Sequence, residues 1–93
     1  MELPINYTQV HFTVREQARE EYIKLQEGKC YLCRALLTES PPDDVLAKAV
    51  NKGLYPPNFF NSPIHLHHDH EAGMTLGAVH GYCNAVLWEY YGE

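Results

Sequence analysis

Two pairs of metal-binding side chains with the same two-residue spacer constrain the fold of this chain most strongly. Cys30 and Cys33 form the first pair, and His80 and Cys83 form the second. A two-residue spacer lets both side chains of a pair reach one ion from a single turn, and two such turns complete the tetrahedral coordination of zinc. All three cysteines are used in this way, and the histidine supplies the fourth ligand. The alternative is a set of buried free thiols beside an incidental histidine; the matched spacing favours structural zinc.

The small size of the chain indicates that such a zinc ion would stabilise the fold. The chain has 93 residues, of which 45% are hydrophobic, and this indicates one globular domain over residues 1–93. A domain of this size buries only about 60–65% of its unfolded surface. Structural zinc contributes roughly 10 kcal/mol or more of binding free energy in small peptides. Zinc would therefore compensate for a small core by tying the first helix to the C-terminal part of the chain.

Cysteine usage, hydropathy and charge bear on the compartment and on partners. Three closely spaced cysteines favour a reducing compartment over a disulfide framework. No apolar run approaches the roughly 20 residues that span a bilayer, and the N-terminus shows no signal peptide. We therefore expect a cytoplasmic protein without a membrane partner. The net charge of −5 counts against avid nonspecific binding to DNA, because such binding depends on Lys and Arg neutralising phosphates.

The first half of the chain predicts two helices that flank the first cysteine pair. Thr13 and Glu16 have the spacing of a capping box, which predicts a helix over residues 13–27 that ends at Gly28 in a left-handed conformation. A second helix is predicted from residue 40 to residue 53. The residues expected to face the core from these two helices are Val14, Ala18, Tyr22, Leu25, Leu46, Ala49 and Val50.

The second half predicts a hairpin followed by a helix. Residues 54–63 are rich in proline and aromatic side chains, which indicates a packed loop. Strands are predicted over residues 64–68 and 75–79, on either side of a turn around Gly73. A last helix is predicted over residues 83–91, where Ala85, Trp88 and Tyr91 recur at helical spacing. The predicted fold class is therefore α+β.

Histidines are concentrated at the end of the first predicted strand. Four of the six lie between positions 65 and 70, and Asn84 directly follows the zinc ligand Cys83. Packing of the hairpin against the last helix would bring together His67, His68, His70 and Asn84. This density of imidazole is typical of a metal site beside a scissile bond. The alternatives are one adventitious ion and a loop that merely carries histidines.

Residues 67–70, followed by residues 77–85, resemble the HNH, or ββα-metal, nuclease motif. The resemblance is closest to the bacteriophage recombination endonuclease VII family, which pairs Asp-His-x-His at a strand end with Cys-x-x-Cys-Asn at a helix start and has a further Cys-x-x-Cys upstream for zinc. It covers about residues 30–33 and 64–92. It implies a small zinc-stabilised ββα-metal (HNH) nuclease domain with an N-terminal helix, located in the host cell cytoplasm if the chain is encoded by a phage.

The resemblance also implies an activity and a role for each histidine of the motif. The activity is metal-dependent hydrolysis of DNA phosphodiester bonds, with branched or recombining DNA as one substrate class. His68 resembles the general base that activates water, and His70 would donate to the phosphate. Asn84 and His67 match the ligands of a catalytic divalent metal, by resemblance magnesium. His67 stands where the family often has aspartate, which favours manganese, nickel or zinc more than a carboxylate would. The middle asparagine of the HNH motif has no counterpart here.

Further expectations concern partners and the remaining side chains. The candidate DNA contacts are Arg15, Arg19, Lys29 and Arg34. Interleaved glutamates mean that a solvated helix face explains the first two equally well. A homodimer through the N-terminal helix is a further hypothesis. The contrasting function is a noncatalytic zinc module that binds nucleic acid or protein. Asp69 could orient an imidazole or cap the turn, and the turn role is favoured slightly. His11 and His65 are expected to be structural or surface residues.

Overall fold

A computed structural model describes all residues from 1 to 93 as an α+β fold around one two-stranded antiparallel sheet. The helices are α1 (Phe12–Leu25), α2 (Asp43–Leu46) and α3 (Gly81–Tyr91), and the strands are β1 (Ile64–His68) and β2 (Thr75–His80). Two short 3-10 turns, Lys52–Leu54 and Phe59–Asn61, lie in the proline-rich loop. No helix combines the length and the apolar character that crossing a membrane requires.

Helix α1 begins earlier than the capping box predicts. Its N-cap is His11, whose ring Nδ1 accepts the Thr13 backbone N–H at 3.3 Å. Thr13 therefore lies inside the first turn, and its predicted role as the cap is wrong. Leu25 is also 70% exposed rather than buried. The helix ends through backbone bonds from Glu27 and Gly28, both with positive φ, and the expected left-handed conformation of Gly28 is confirmed.

Helix α2 is much shorter than the predicted helix over residues 40–53. It has four residues, and only Val45 is buried, while Leu46 and Ala49 are exposed. The carbonyl groups that would continue the helix are bonded elsewhere. The hydroxyl of Tyr82 donates to the Lys48 carbonyl at 2.6 Å, and that of Tyr90 donates to the Ala49 carbonyl at 2.7 Å. Tertiary bonds from α3 thus replace the helical ones.

The hairpin follows the prediction closely. Strand β1 has the predicted bounds, and β2 continues one residue further to His80, after which α3 begins at once. Asp69 caps the turn as expected, because its carboxylate accepts the Glu71 and Ala72 backbone N–H groups at 2.8 and 3.3 Å. The N-terminal segment adds to this end of the hairpin, since Tyr7 N–H donates to the Gly73 carbonyl at 2.7 Å.

The core lies where α3, β2 and the cysteine turn meet. Its eight buried residues are Cys30, Leu37, Val45, Ala78, Val79, Cys83, Val86 and Leu87. Gln26 joins α1 to β2, because its amide accepts the Ala78 N–H at 2.8 Å and donates to the Ala78 carbonyl at 2.9 Å. Gly77 permits this approach: a Cβ there would lie 2.7 Å from both Gln26 and Tyr31. Two of the proposed zinc ligands, Cys30 and Cys83, are among the eight core residues.

Candidate metal centre and histidine cavity

The structure brings the four predicted zinc ligands together. Cys30 and Cys33 come from the turn after α1, His80 ends β2, and Cys83 lies in the first turn of α3. Their ligand atoms all lie within 4.8 Å of one another, and Nδ1 of His80 is 3.5 Å from the sulfurs of both Cys33 and Cys83. Tetrahedral zinc with ordinary bond lengths separates a nitrogen and a sulfur ligand by about 3.6 Å. The group could therefore hold a structural metal ion such as zinc.

Backbone carbonyls orient the imidazole of His80 toward the thiols. Its Nε2 lies 3.0 Å from the Leu36 carbonyl oxygen and 2.7 Å from that of Glu39. Carbonyl oxygens only accept hydrogen bonds, so Nε2 carries the proton and Nδ1 presents its lone pair in the neutral ring. This is the outer-shell bond that usually holds a metal-binding histidine in place.

Contacts among the cysteines and burial shift the pKa values of all three thiols. The Cys83 thiol donates to the Cys30 sulfur, which lowers the pKa of Cys30 to about 4 and raises that of Cys83. Burial raises the pKa of Cys33. Only Cys30 is therefore a thiolate without a metal, and a bound divalent ion would make all three sulfurs thiolates by releasing the protons of Cys33 and Cys83.

A cavity of about 510 Å³ is lined by Asn84, the residue that follows the zinc ligand Cys83, and by most of the predicted catalytic side chains. His68, His70 and Asn84 all line it, as the sequence predicts. The ring centroids of His68 and His70 are 4.8 Å apart. Arg15 and Arg19 line the same cavity from α1, whereas Lys29 and Arg34 do not. The cavity thus combines three imidazoles, including that of His65, two amides, two guanidinium groups and the carboxylate of Glu16.

Tyr7 holds His68 in place, a role that the sequence reasoning missed. The two rings stack with centroids 4.0 Å apart and planes 7° apart, and the Arg15 guanidinium lies 4.1 Å from the Tyr7 ring centroid. Two groups this close to one ring occupy its opposite faces, so Tyr7 is sandwiched between them. Tyr7 reaches this position through its pairing with Gly73, a contact between distant parts of the chain that leaves no local signal in the sequence.

The surroundings of His68 favour its neutral form. Burial lowers the pKa of His68, and the positive charges of His70, His67 and Arg15 lower it further. A neutral imidazole accepts protons at neutral pH, which is what a general base must do. The cavity therefore presents a basic nitrogen beside side chains that can donate to an anion.

His67 lies outside the cavity. It is 1% exposed, and its Nε2 is 3.3 Å from the carboxylate of Glu93, while its ring packs against Tyr31. Its Nδ1 is buried without a hydrogen-bond partner. The structure therefore separates His67 from the wall that carries Asn84, although an unpaired buried nitrogen is consistent with a ligand atom.

His65 takes the place beside Asn84 instead. The Asn84 amide N–H donates to Nδ1 of His65 across 3.2 Å, which leaves the amide oxygen free to meet a cation. His65, which was expected to be a structural or surface residue, also lines the cavity. Gly81 makes room for it, since a Cβ there would lie 2.9 Å from His65 Nε2. His11, in contrast, is the exposed N-cap of α1, as expected.

Comparisons of this chain with protein-family models, curated proteins and solved structures give no match. The fold and the site define a small α+β protein with a Cys3His group that could bind zinc and a cavity rich in histidine.

Proposed function

We propose that this chain is a zinc-stabilised ββα-metal (HNH) DNA endonuclease domain that resembles the recombination endonuclease VII family. The observation that carries the proposal is the meeting of His68 and His70, from the turn end of the hairpin, with Asn84 of α3 on one cavity. Arg15 and Arg19 on the same cavity wall provide charge for a phosphate.

Each side chain has a role that follows from its surroundings. His68 accepts a proton from the attacking water, because its pKa is lowered and its ring is held by Tyr7. His70 donates to a phosphate oxygen as negative charge builds up in the transition state. Arg15 and Arg19 attract and orient the phosphate. Tyr7 acts through His68 and is a positioning residue.

A catalytic metal fits the cavity through the free amide oxygen of Asn84. The predicted partner of Asn84 is His67, which has an unpaired Nδ1 but is buried and does not line this cavity. His65 is the nearer imidazole, and it would be the second candidate ligand if Asn84 released the Nδ1 lone pair that now accepts its amide N–H at 3.2 Å. When bound, a divalent ion such as Mg²⁺, Mn²⁺, Ni²⁺ or Zn²⁺ would supply positive charge to the phosphate and to the leaving oxygen. Nitrogen ligands favour the three softer ions.

The substrate and the assembly are proposed from the resemblance. Branched or recombining DNA is the substrate class, and a homodimer through α1 would carry two cleaving centres. Monomer at high concentration in a sedimentation experiment would exclude that dimer.

A noncatalytic zinc module that binds nucleic acid or protein is the second candidate function. The net charge of −5 favours it, as does the separation of His67 from the cavity wall. Retention of the nuclease scaffold without cleavage would account for both observations.

Cleavage of DNA with added metals distinguishes the two functions. Supercoiled plasmid and a four-way junction are incubated with zinc-loaded protein, and magnesium, manganese, nickel or further zinc is added separately. We expect nicking with at least one metal, its loss in His68→Ala, and its retention in His11→Ala, which removes a histidine outside the cavity. No cleavage of either DNA with any metal would exclude the enzyme and leave the binding module.

A further inference from the structure

A second cavity, of about 340 Å³, opens beside the histidine cavity and is walled by aromatic rings. Its apolar lining consists of Leu54, Tyr55, Phe59 and Trp88. His70, Asn84 and Phe59 line both cavities, so the two cavities lie on either side of these residues. No acidic side chain lines the aromatic cavity.

The aromatic walls are held rigidly before any ligand arrives. The Tyr55 ring stacks on Phe59 with centroids 4.5 Å apart, and its hydroxyl donates to the carboxylate of Glu89 at 2.6 Å. Burial and the neighbouring Glu89 raise the pKa of Tyr55, so the hydroxyl remains a donor. Trp88 stands edge-on to Tyr55 at 5.8 Å and keeps 44% of its surface exposed. One large ring is therefore preorganised and still accessible.

We propose that this aromatic cavity binds an unpaired nucleobase of DNA next to the phosphate held in the histidine cavity. The proposal rests on the proposed function, and it narrows the substrate to DNA with single-stranded or unstacked nucleotides at the cleavage site. Aromatic side chains stack on bases of any sequence. In a duplex the base must first leave the helix, which costs a few kcal/mol, whereas a junction or a single strand presents it already free.

The charge of the protein supports a base-stacking site. Phosphate contacts supply most nonspecific affinity in DNA-binding proteins, and a chain of net charge −5 has few cations for them. Stacking is independent of net charge, so it can supply the affinity that phosphate contacts do not. The polar groups at the shared wall, on His70 and Asn84, can meet the edge of a base or its sugar.

Trp88 gives a direct readout because it is the only tryptophan of the chain. The fluorescence of His68→Ala protein, which binds without cleaving, is titrated with oligothymidylate in the absence of added divalent metal. We expect quenching that saturates. An oligomer of the same length with abasic sites carries the same phosphates and should bind about 10-fold more weakly, and a blunt duplex should bind weakly as well.

Substitutions on α3 test the stacking ring itself. Binding is then measured by the anisotropy of a labelled oligothymidylate. Trp88→Ala should weaken binding about 10-fold, and Trp88→Phe should retain most of it. Tyr91→Ala removes a ring of the same helix that is more exposed than Trp88 and lies outside the cavity, and it should leave binding unchanged.

The outcomes separate this proposal from the nuclease proposal. Equal binding of the normal and abasic oligomers, or of Trp88→Ala and its parent, would overturn the base site even if plasmid is cleaved. Quenching by oligothymidylate without cleavage of any DNA would support the base site and exclude the nuclease. Trp88 fluorescence that responds to protein concentration and not to the oligomer would assign the cavity to a contact between two copies, and would overturn the proposal.

Discussion

Replacing Cys30 with serine should unfold the domain at 25 °C. Cys30 has no exposed surface and is both a proposed zinc ligand and a member of the core. A chain of 93 residues is typically stable by about 5–14 kcal/mol. Structural zinc contributes roughly 10 kcal/mol or more, and an unpaired buried hydroxyl costs about 1–3 kcal/mol. The free energy lost in Cys30→Ser therefore equals most or all of the free energy of folding.

Circular dichroism melts and metal analysis of the purified protein measure this effect. We expect one zinc ion per parent chain and a cooperative melt, and neither in Cys30→Ser. His68→Ala is the control, because it loses only a ring stack of about 1 kcal/mol, which lowers Tm by about 4–8 °C in a domain of this size. A Cys30→Ser protein that melts at the temperature of its parent would refute the structural role of the metal.

Three further predictions concern the cavity. Tyr7→Ala should lower the cleavage rate about 10-fold by releasing His68, and Tyr7→Phe should restore it; equal rates for Tyr7→Ala and its parent would remove the positioning role. Arg15→Ala and Arg19→Ala should each reduce the salt slope of DNA binding by about 1, whereas Lys24→Ala, on the same helix but outside the cavity, should not. Because the pKa of His68 is lowered and its neutral form acts as the base, the cleavage rate should hold at pH 6.5 and fall at lower pH. The same pKa shift makes the fold less stable in acid, since below pH 6.5 the folded state binds fewer protons than the unfolded chain. A rate that rises as the pH is lowered would exclude a neutral base.

The parts of the fold that local chemistry determines could be predicted from the sequence. The two-residue spacers place Cys30, Cys33, His80 and Cys83 on turns, and the structure brings the four together. Alternation and the glycine turn likewise defined the hairpin, which the structure reproduces with one added residue in β2. These features depend on neighbours a few positions apart, so a single sequence contains them.

Features that depend on distant contacts could not be predicted in this way. Helix α2 ends early because tyrosine hydroxyls of α3 bond the carbonyl groups of Lys48 and Ala49, just beyond its last residue. Tyr7 stacks on His68 across some sixty positions of sequence. His65, and not the predicted His67, lies beside Asn84. Both histidines belong to β1, so which of them meets Asn84 depends on how α3 crosses the sheet. Sequence spacing identified the histidine cluster but not which of its members meets the asparagine.

Nicking of supercoiled plasmid by His68→Ala, with and without added imidazole, tests the central claim most directly. A general base contributes typically 10²–10⁴-fold, so we expect the variant to remain folded, to bind zinc, and to nick at least about 100-fold more slowly than its parent. Free imidazole should restore part of the rate by entering the space beside Tyr7. Equal nicking by the variant and its parent under the same metal would contradict the account.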